Sequence, residues 1–168
     1  MSVLQTERLI MRYWKQEDSE KVAKIWGNTA TMKYCAGAMT DELIKNVVNS
    51  YIRFQEENDY SIMFPIELKE NKDIVGVCGF QKTQEKDVFE FMYHFREDTW
   101  GKGYASEAAS TVLDYGIDKL KPKKIIAGAA IENIGSLKIL EKLNFTFLEE
   151  KWFDDTQMNG RYYELKVN

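Results

Sequence analysis

Between Val88 and Leu120 the chain changes its periodicity, and it does so across two glycines. Phe89, Phe91, Tyr93 and Phe95 share one face of the stretch Val88 to Phe95, and Glu90, Met92 and His94 share the other, the period-two pattern of a strand. Ala105, Ala108, Ala109, Val112, Leu113, Ile117 and Leu120 then recur at helical spacing until Lys121-Pro122 stops the pattern. The junction is Trp100-Gly101-Lys102-Gly103-Tyr104-Ala105-Ser106. Glycine suits a turn where a Cβ would forbid positive φ or block close approach. A helix opening directly from it leaves its first amides without internal partners and places about half a positive charge there. Such a turn is a concave backbone surface for an anion, most often a phosphate or pyrophosphate. An ordinary strand-to-helix turn would use the same glycines, so the surroundings must decide.

Those surroundings read as a mixed α/β chain. Glu7 to Tyr13 forms a first strand; Asp18 caps a helix running to about Gly27, with Val22, Ala23, Ile25 and Trp26 as its apolar face. Thr40 is the N-cap of a second helix carrying Leu43, Ile44, Val47, Val48, Tyr51, Ile52 and Phe54. Between the two lies a loop, Asn28 to Met39, rich in Met and aromatic residues. Tyr60 to Leu68 and Ile74 to Gln81 form a hairpin about Glu70-Asn71-Lys72-Asp73, and Gln84 to Asp87 turns into the strand Val88 to Phe95. Lys124 to Ile131 is a strand, Ile134 to Leu143 a short helix, and Phe145 to Phe153 and Arg161 to Val167 are the last strands. With no linker or repeat, residues 1–168 are expected to form a single domain, α/β of the α+β kind, not a doubly wound parallel sheet.

Composition excludes several functions. Cys35, Cys78 and a single histidine give neither a disulfide framework nor metal spacing, so no metal is expected. A net charge of −4 argues against a nucleic-acid surface and is mildly compatible with a cationic amine partner. No apolar run approaches the roughly 18 residues of a membrane span. The stretch Met1 to Arg8 lacks the pattern of a signal peptide, which makes the cytoplasm the expected compartment.

No Gly-x-x-x-x-Gly-Lys-Ser/Thr run is present, and a dinucleotide fingerprint would need a third glycine inside a βαβ unit. The turn instead resembles the Gln/Arg-x-x-Gly-x-Gly/Ala pyrophosphate loop of the GNAT superfamily of acyl-CoA N-acyltransferases, with Gly103 and Ala105 in the last two defined positions and Trp100 in the first. Trp there looks like the RimJ/RimL branch, the ribosomal-protein-alanine N-acetyltransferase type. Thr6-Glu7-Arg8-Leu9-Ile10-Met11-Arg12 resembles that branch's opening strand. The run Glu132-Asn133-Ile134-Gly135-Ser136 through Leu140-Glu141-Lys142-Leu143-Asn144-Phe145 resembles its Asn-x-x-Ser-x-x-x-Leu-Glu-Lys-x-Gly-Phe segment.

The resemblance implies a GNAT fold: a mostly antiparallel sheet of about seven strands, splayed between the fourth and fifth, with about four helices on both faces. It implies acetyl-CoA as co-substrate and a primary amine as acceptor, either a protein N-terminal α-amine or a small-molecule amine, with the acetyl group passed directly because no cysteine lies in the motif segments. The amides of Gly101, Lys102, Gly103, Tyr104, Ala105 and Ser106 would hold the CoA pyrophosphate. Unpaired backbone groups near Phe95 and Arg96 would pair with the pantetheine arm as another strand would. Asn133 is a helix N-cap that the family also turns toward the pantetheine, and Ser136 follows within reach of the cofactor. Homodimerisation is left open.

An amine attacking a thioester must be neutral, so a carboxylate is sought as proton acceptor. Glu90 is the candidate, flanked by aromatic residues that would raise its pKa; His94, on the same strand face, is the second. Met92 replaces a glycine common near this Glu in the branch. Leu140 stands where many members carry the Tyr that protonates the departing thiolate, and Gly128 where some carry a Glu base. Ser136, water or solvent must then supply that proton. Met32 and Tyr34, with Trp26 and Met39, are candidates to line the acceptor groove, with Trp152 and Phe153 closing the far side; core packing is the competing role for each. A non-catalytic acetyl-CoA-binding module is the alternative function.

Overall fold

The computed structural model describes residues 2–57 and 62–167. Among these residues eight strands and four α-helices follow one another as β1 (Ser2–Gln5), β2 (Leu9–Arg12), α1 (Asp18–Trp26), α2 (Asp41–Glu56), β3 (Met63–Leu68), β4 (Ile74–Lys82), β5 (Val88–Phe95), α3 (Tyr104–Leu120), β6 (Lys124–Ala130), α4 (Ile134–Lys142), β7 (Thr146–Phe153) and β8 (Met158–Lys166). One 3-10 turn, Glu97–Thr99, separates β5 from α3. All eight strands join one sheet in the order β1-β2-β3-β4-β5-β6-β8-β7. No helix among the described residues is long and apolar enough to cross a membrane.

The expected seven strands become eight because the first one is a hairpin. Ser2 pairs with Arg12 and Gln5 with Ile10, so Glu7 and Arg8 belong to the turn and not to a strand. The short edge strand β1 carries no alternating apolar pattern that could have announced it. Tyr60 lies outside the described residues, and β3 is described from Met63. The last strand starts at Met158, three residues before the expected Arg161. Asp18 proves to be the first helical residue and not the cap. Its fully buried carboxylate receives both Arg12 Nη1–H and Nη2–H at 2.8 Å and the Lys15 N–H at 2.9 Å, while Arg12 Nε–H donates to Glu67. A buried ion pair outcompetes a helix cap for that side chain. Thr40 does cap α2, accepting the Leu43 N–H.

Two cores lie on opposite faces of the sheet. Phe80, Phe89, Phe91, Phe95, Ala108, Ala109, Val112, Leu137, Leu140 and Tyr163 belong to the one beneath α3 and α4. Val22, Ile25, Trp26, Met32, Ile44 and Val48 belong to the one beneath α1 and α2. Small residues let α3 press close: a Cβ on Gly116 would stand 2.1 Å from the Phe80 ring.

The splay follows from pairing. β5 is paired with β4 along its whole length, Phe89 with Lys82 through Phe95 with Gly76. β6 is paired with β8 from Lys124 to Ala130. Between β5 and β6, the one parallel pair among the described residues, the register holds over Val88–Glu90 against Lys124–Ile126 and no further. Each strand is committed on its outer side, so beyond Glu90 and Ile126 the sheet opens.

Candidate functional site

The opening leads to a cavity of about 530 Å³ bounded by the starts of α3 and α4, the end of β5 and the loop before α2. Gly101 and Gly103 have φ of +76° and +80°, a conformation that L side chains rarely adopt. The first helical bond of α3 is Glu107 N–H to Gly103 O, so the amides of Tyr104, Ala105 and Ser106 precede the ladder. All three residues line the cavity with Gly101 and Gly103. A Cβ on Gly101 would meet nothing within 4 Å, which leaves that side of the turn open to an incoming group. This arrangement suits a diphosphate. Lys102 is exposed and does not line the cavity.

Trp100 has a job that its sequence position did not reveal. Its Nε1–H donates to Phe95 O at 2.7 Å and locks the end of β5 to the glycine turn. The same turn uses up the backbone groups expected to be free at Arg96. Arg96 N–H is bonded to Val75 O, and Arg96 O accepts the Thr99 N–H and Oγ1–H. The unpaired edge therefore lies earlier, on the β6-facing side of residues 91–94, beyond the last pair at Glu90 and before the Phe95 carbonyl that Trp100 occupies. The Arg96 side chain turns away from the cavity to Asp98 and Asp73.

At the opposite wall Asn133 caps α4, its Oδ1 accepting the Ser136 N–H at 3.3 Å. Ser136 meets a partner from another strand: Tyr93 Oη stands 3.0 Å from both Ser136 Oγ and Ser136 O. Burial pushes the Tyr93 phenol up, which keeps its proton on the oxygen at neutral pH. Tyr93 sits on the aromatic face of β5, and only the fold brings its hydroxyl to α4. Leu140 is fully buried in the core, so its position offers the cavity no acid.

The other face of β5 carries Glu90 and His94. Trp26 Nε1–H donates to His94 Nδ1 at 3.1 Å, which leaves the proton of the neutral ring on Nε2, 3.5 Å from Cys35 Sγ. Burial pushes the ring's pKa down to about 4. Both nitrogens are engaged within the protein. Burial and the nearby Asp155, from the turn between β7 and β8, raise the Glu90 carboxyl. The same two causes raise the Cys35 thiol, so the Asp155 charge reaches both groups. Glu90 lies deeper along the splay than the cavity lining, which on this side consists of Thr31, Tyr34, Cys35 and His94.

Of the residues expected in the acceptor groove, Tyr34 lines the cavity, Met32 and Trp26 are packed in the core beneath α1 and α2, and Met39 packs partly buried against that core. Trp152 is exposed on β7. Phe153 lies edge-on to Tyr162 at 5.0 Å, above Gly128 and Gly160, where a Cβ on Gly160 would stand 2.0 Å from its ring.

Comparison with known proteins agrees with this geometry. The family model described as an acetyltransferase (GNAT) domain matches residues 8–146. The uncharacterized N-acetyltransferase p20 of Bacillus licheniformis is 34% identical over 151 residues, 86% of this chain and 83% of its own. An acetyltransferase of the GNAT family from Bacillus anthracis superposes with a TM-score of 0.81 at 28% identity, covering 97% of both chains. RimL, a ribosomal L7/L12 α-N-protein acetyltransferase solved in complex with coenzyme A, shares the fold with a TM-score of 0.83 at 13% identity, over 99% of this chain and 98% of its own. A match over most of the sequence and a shared architecture meet here with a cleft flanked by two helix N-termini, and the chain belongs to the GNAT family of acetyltransferases.

Proposed function

We propose that this protein is an acetyl-CoA-dependent N-acetyltransferase of the RimJ/RimL type that moves the acetyl group directly to a primary amine. The observation that carries the reading is the convergence of the two helix N-termini, α3 behind Gly101 and Gly103 and α4 behind Asn133, on the splay between β5 and β6. Amides at the start of α3 suit the diphosphate, and the open edge of residues 91–94 suits the amide-rich arm that follows it. The thioester then lies near Ser136 and the acceptor enters from the side of Tyr34.

In this reaction the amine nitrogen bonds to the thioester carbonyl carbon, the C–S bond breaks, and CoA leaves as a thiolate. Glu90 takes the amine's proton, directly or through water; its raised pKa makes it a stronger base than an ordinary carboxylate. Ser136 gives a proton to the thiolate and regains one from solvent through the open cavity, while Tyr93, whose hydroxyl stands 3.0 Å from Ser136 Oγ and donates to Ser136 O, holds the serine in place. His94 holds Trp26 and Cys35, and through them the loop that carries Tyr34. The acceptor is a cationic amine in solution, for which the carboxylates of Glu90 and Asp155 are complementary; a protein N-terminus and a small amine both satisfy this.

The test is thiol release from acetyl-CoA in the presence of an amine panel that includes peptides with free N-termini. Turnover above hydrolysis with at least one amine is expected. Binding of acetyl-CoA with no amine-dependent turnover would sink the enzyme reading and leave a non-catalytic acetyl-CoA-binding module.

A further inference from the structure

Glu107 poses a problem for any anion at the start of α3. It is the acidic residue of that helix's first turn, and it borders a groove of about 360 Å³ shared with Gly103 and Ser106. A free carboxylate there would repel the diphosphate that the neighbouring amides attract. The turn between β1 and β2 answers it. Thr6 Oγ1–H donates to Glu107 Oε1 at 2.5 Å and Arg8 N–H to the same oxygen at 3.0 Å. Arg8 Nε and Nη2 fork onto Oε2 at 2.7 and 2.6 Å. Burial by itself would raise this carboxyl, but the Thr6 and Arg8 donors outweigh it and hold it below the usual range.

Arg8 also reaches the glycine turn itself. Its Nη1–H donates to Lys102 O at 2.8 Å, the carbonyl between the two positive-φ glycines. Its guanidinium lies over the Tyr104 ring at 4.5 Å, and Nη2 would stand 3.3 Å from a Cβ on Gly103. One side chain from the far end of the sequence thus contacts Lys102, Tyr104 and Glu107 and fills the space where a Gly103 side chain would go, while staying outside the cavity lining.

We propose that Arg8 is a positioning residue for the diphosphate of the donor: it holds the Lys102 carbonyl on the outer side of the turn, so that the following amides face the cleft, and it cancels the charge of Glu107. The inference rests on acetyl-CoA being the donor. It differs from a merely structural role in one sign. If Arg8 only braced the fold, deleting its partner as well would leave binding as poor or worse. If the exposed Glu107 charge is what harms binding, Glu107→Gln must rescue Arg8→Ala.

Titration calorimetry with CoA on four proteins decides this. Arg8→Ala is expected to weaken CoA binding about 30-fold, and Arg8→Lys, which keeps a charge but loses the fork, about 5-fold. The double variant R8A/E107Q should recover most of the loss, and added salt should narrow the gap between R8A and wild type by screening Glu107. Unchanged affinity in R8A, or a double variant no better than R8A, overturns the proposal. Should R8A fail to fold, the same comparison is made between R8K and R8K/E107Q, with the same signs. A wild-type protein that does not bind CoA overturns the donor reading and this one with it, whereas wild-type binding with an indifferent Arg8 overturns only this one.

Discussion

The two walls of the cleft are built on different principles. The wall formed by Trp100 to Ser106 and the start of α4 works mainly through backbone: amides ahead of a helical ladder, two glycines with positive φ, and one Asn cap. The wall formed by Tyr34, Cys35 and His94, with Glu90 deeper along the splay and Asp155 in electrostatic reach of it, works through side chains drawn from three segments of the chain. A backbone site is written in a few consecutive residues and fits a group that every donor of one class shares. A side-chain site is assembled at a distance and can be changed one residue at a time without disturbing the first wall. That difference explains why the donor is easier to infer than the acceptor, and it makes predictions that separate the two.

The largest effect is expected on the backbone wall. Gly103→Val forces a β-branched residue into φ +80° and against Arg8, so CoA binding should be abolished with the circular dichroism spectrum retained. Undiminished affinity would show that the turn is not the diphosphate site. On the opposite wall, Glu90→Gln should leave CoA affinity unchanged while lowering kcat roughly 100-fold. It should also remove the acidic limb of the pH–rate profile, which in wild type lies above the usual carboxylate range because Glu90 is raised. A fall in CoA affinity as large as the fall in kcat would mean that the walls are not separable.

His94 gives a smaller effect, on stability. Its folded pKa near 4 lies below the ordinary 6.5, so the unfolded chain binds the proton first as pH falls. Stability should decline from about pH 6.5 toward pH 4, by roughly 3 kcal/mol, and level off below. Protonation costs the bond from Trp26. Chemical denaturation across this range should show the slope in wild type and its loss in His94→Gln. The smallest change is reserved for Asp155→Asn. Removing a negative charge beside Glu90 favours its ionised form, so the acidic limb should move to lower pH while kcat at the plateau holds. An unmoved limb would place Asp155 out of electrostatic reach of Glu90.

Much of this was legible before any coordinates. The alternation from Phe89 to Phe95 put Glu90 and His94 on one face and the aromatic residues on the other, and the two cores lie accordingly. Thr40 and Asn133 cap their helices as their positions suggested. What failed did so for want of a long-range partner. Asp18 reads as a cap until Arg12 claims it. Met32 reads as a groove residue until the helix face that covers it is known. The free backbone expected near Arg96 is consumed by Val75 and Thr99, one distant and one local.

The sequence by itself determined the turn between β5 and α3, the caps of α2 and α4 and the strand faces, because each depends on residues within a few positions of one another and on the stereochemistry of glycine, proline and short polar side chains. Tertiary structure alone decided where the sheet opens, since the splay arises from pairings made on the outer sides of β5 and β6. It also decided that Tyr93 meets Ser136 across 43 residues and that Arg8 meets Glu107 across 99. Contacts of that range leave no periodic trace in a chain, and they are the ones that set polar side chains beside a glycine turn with free helix amides.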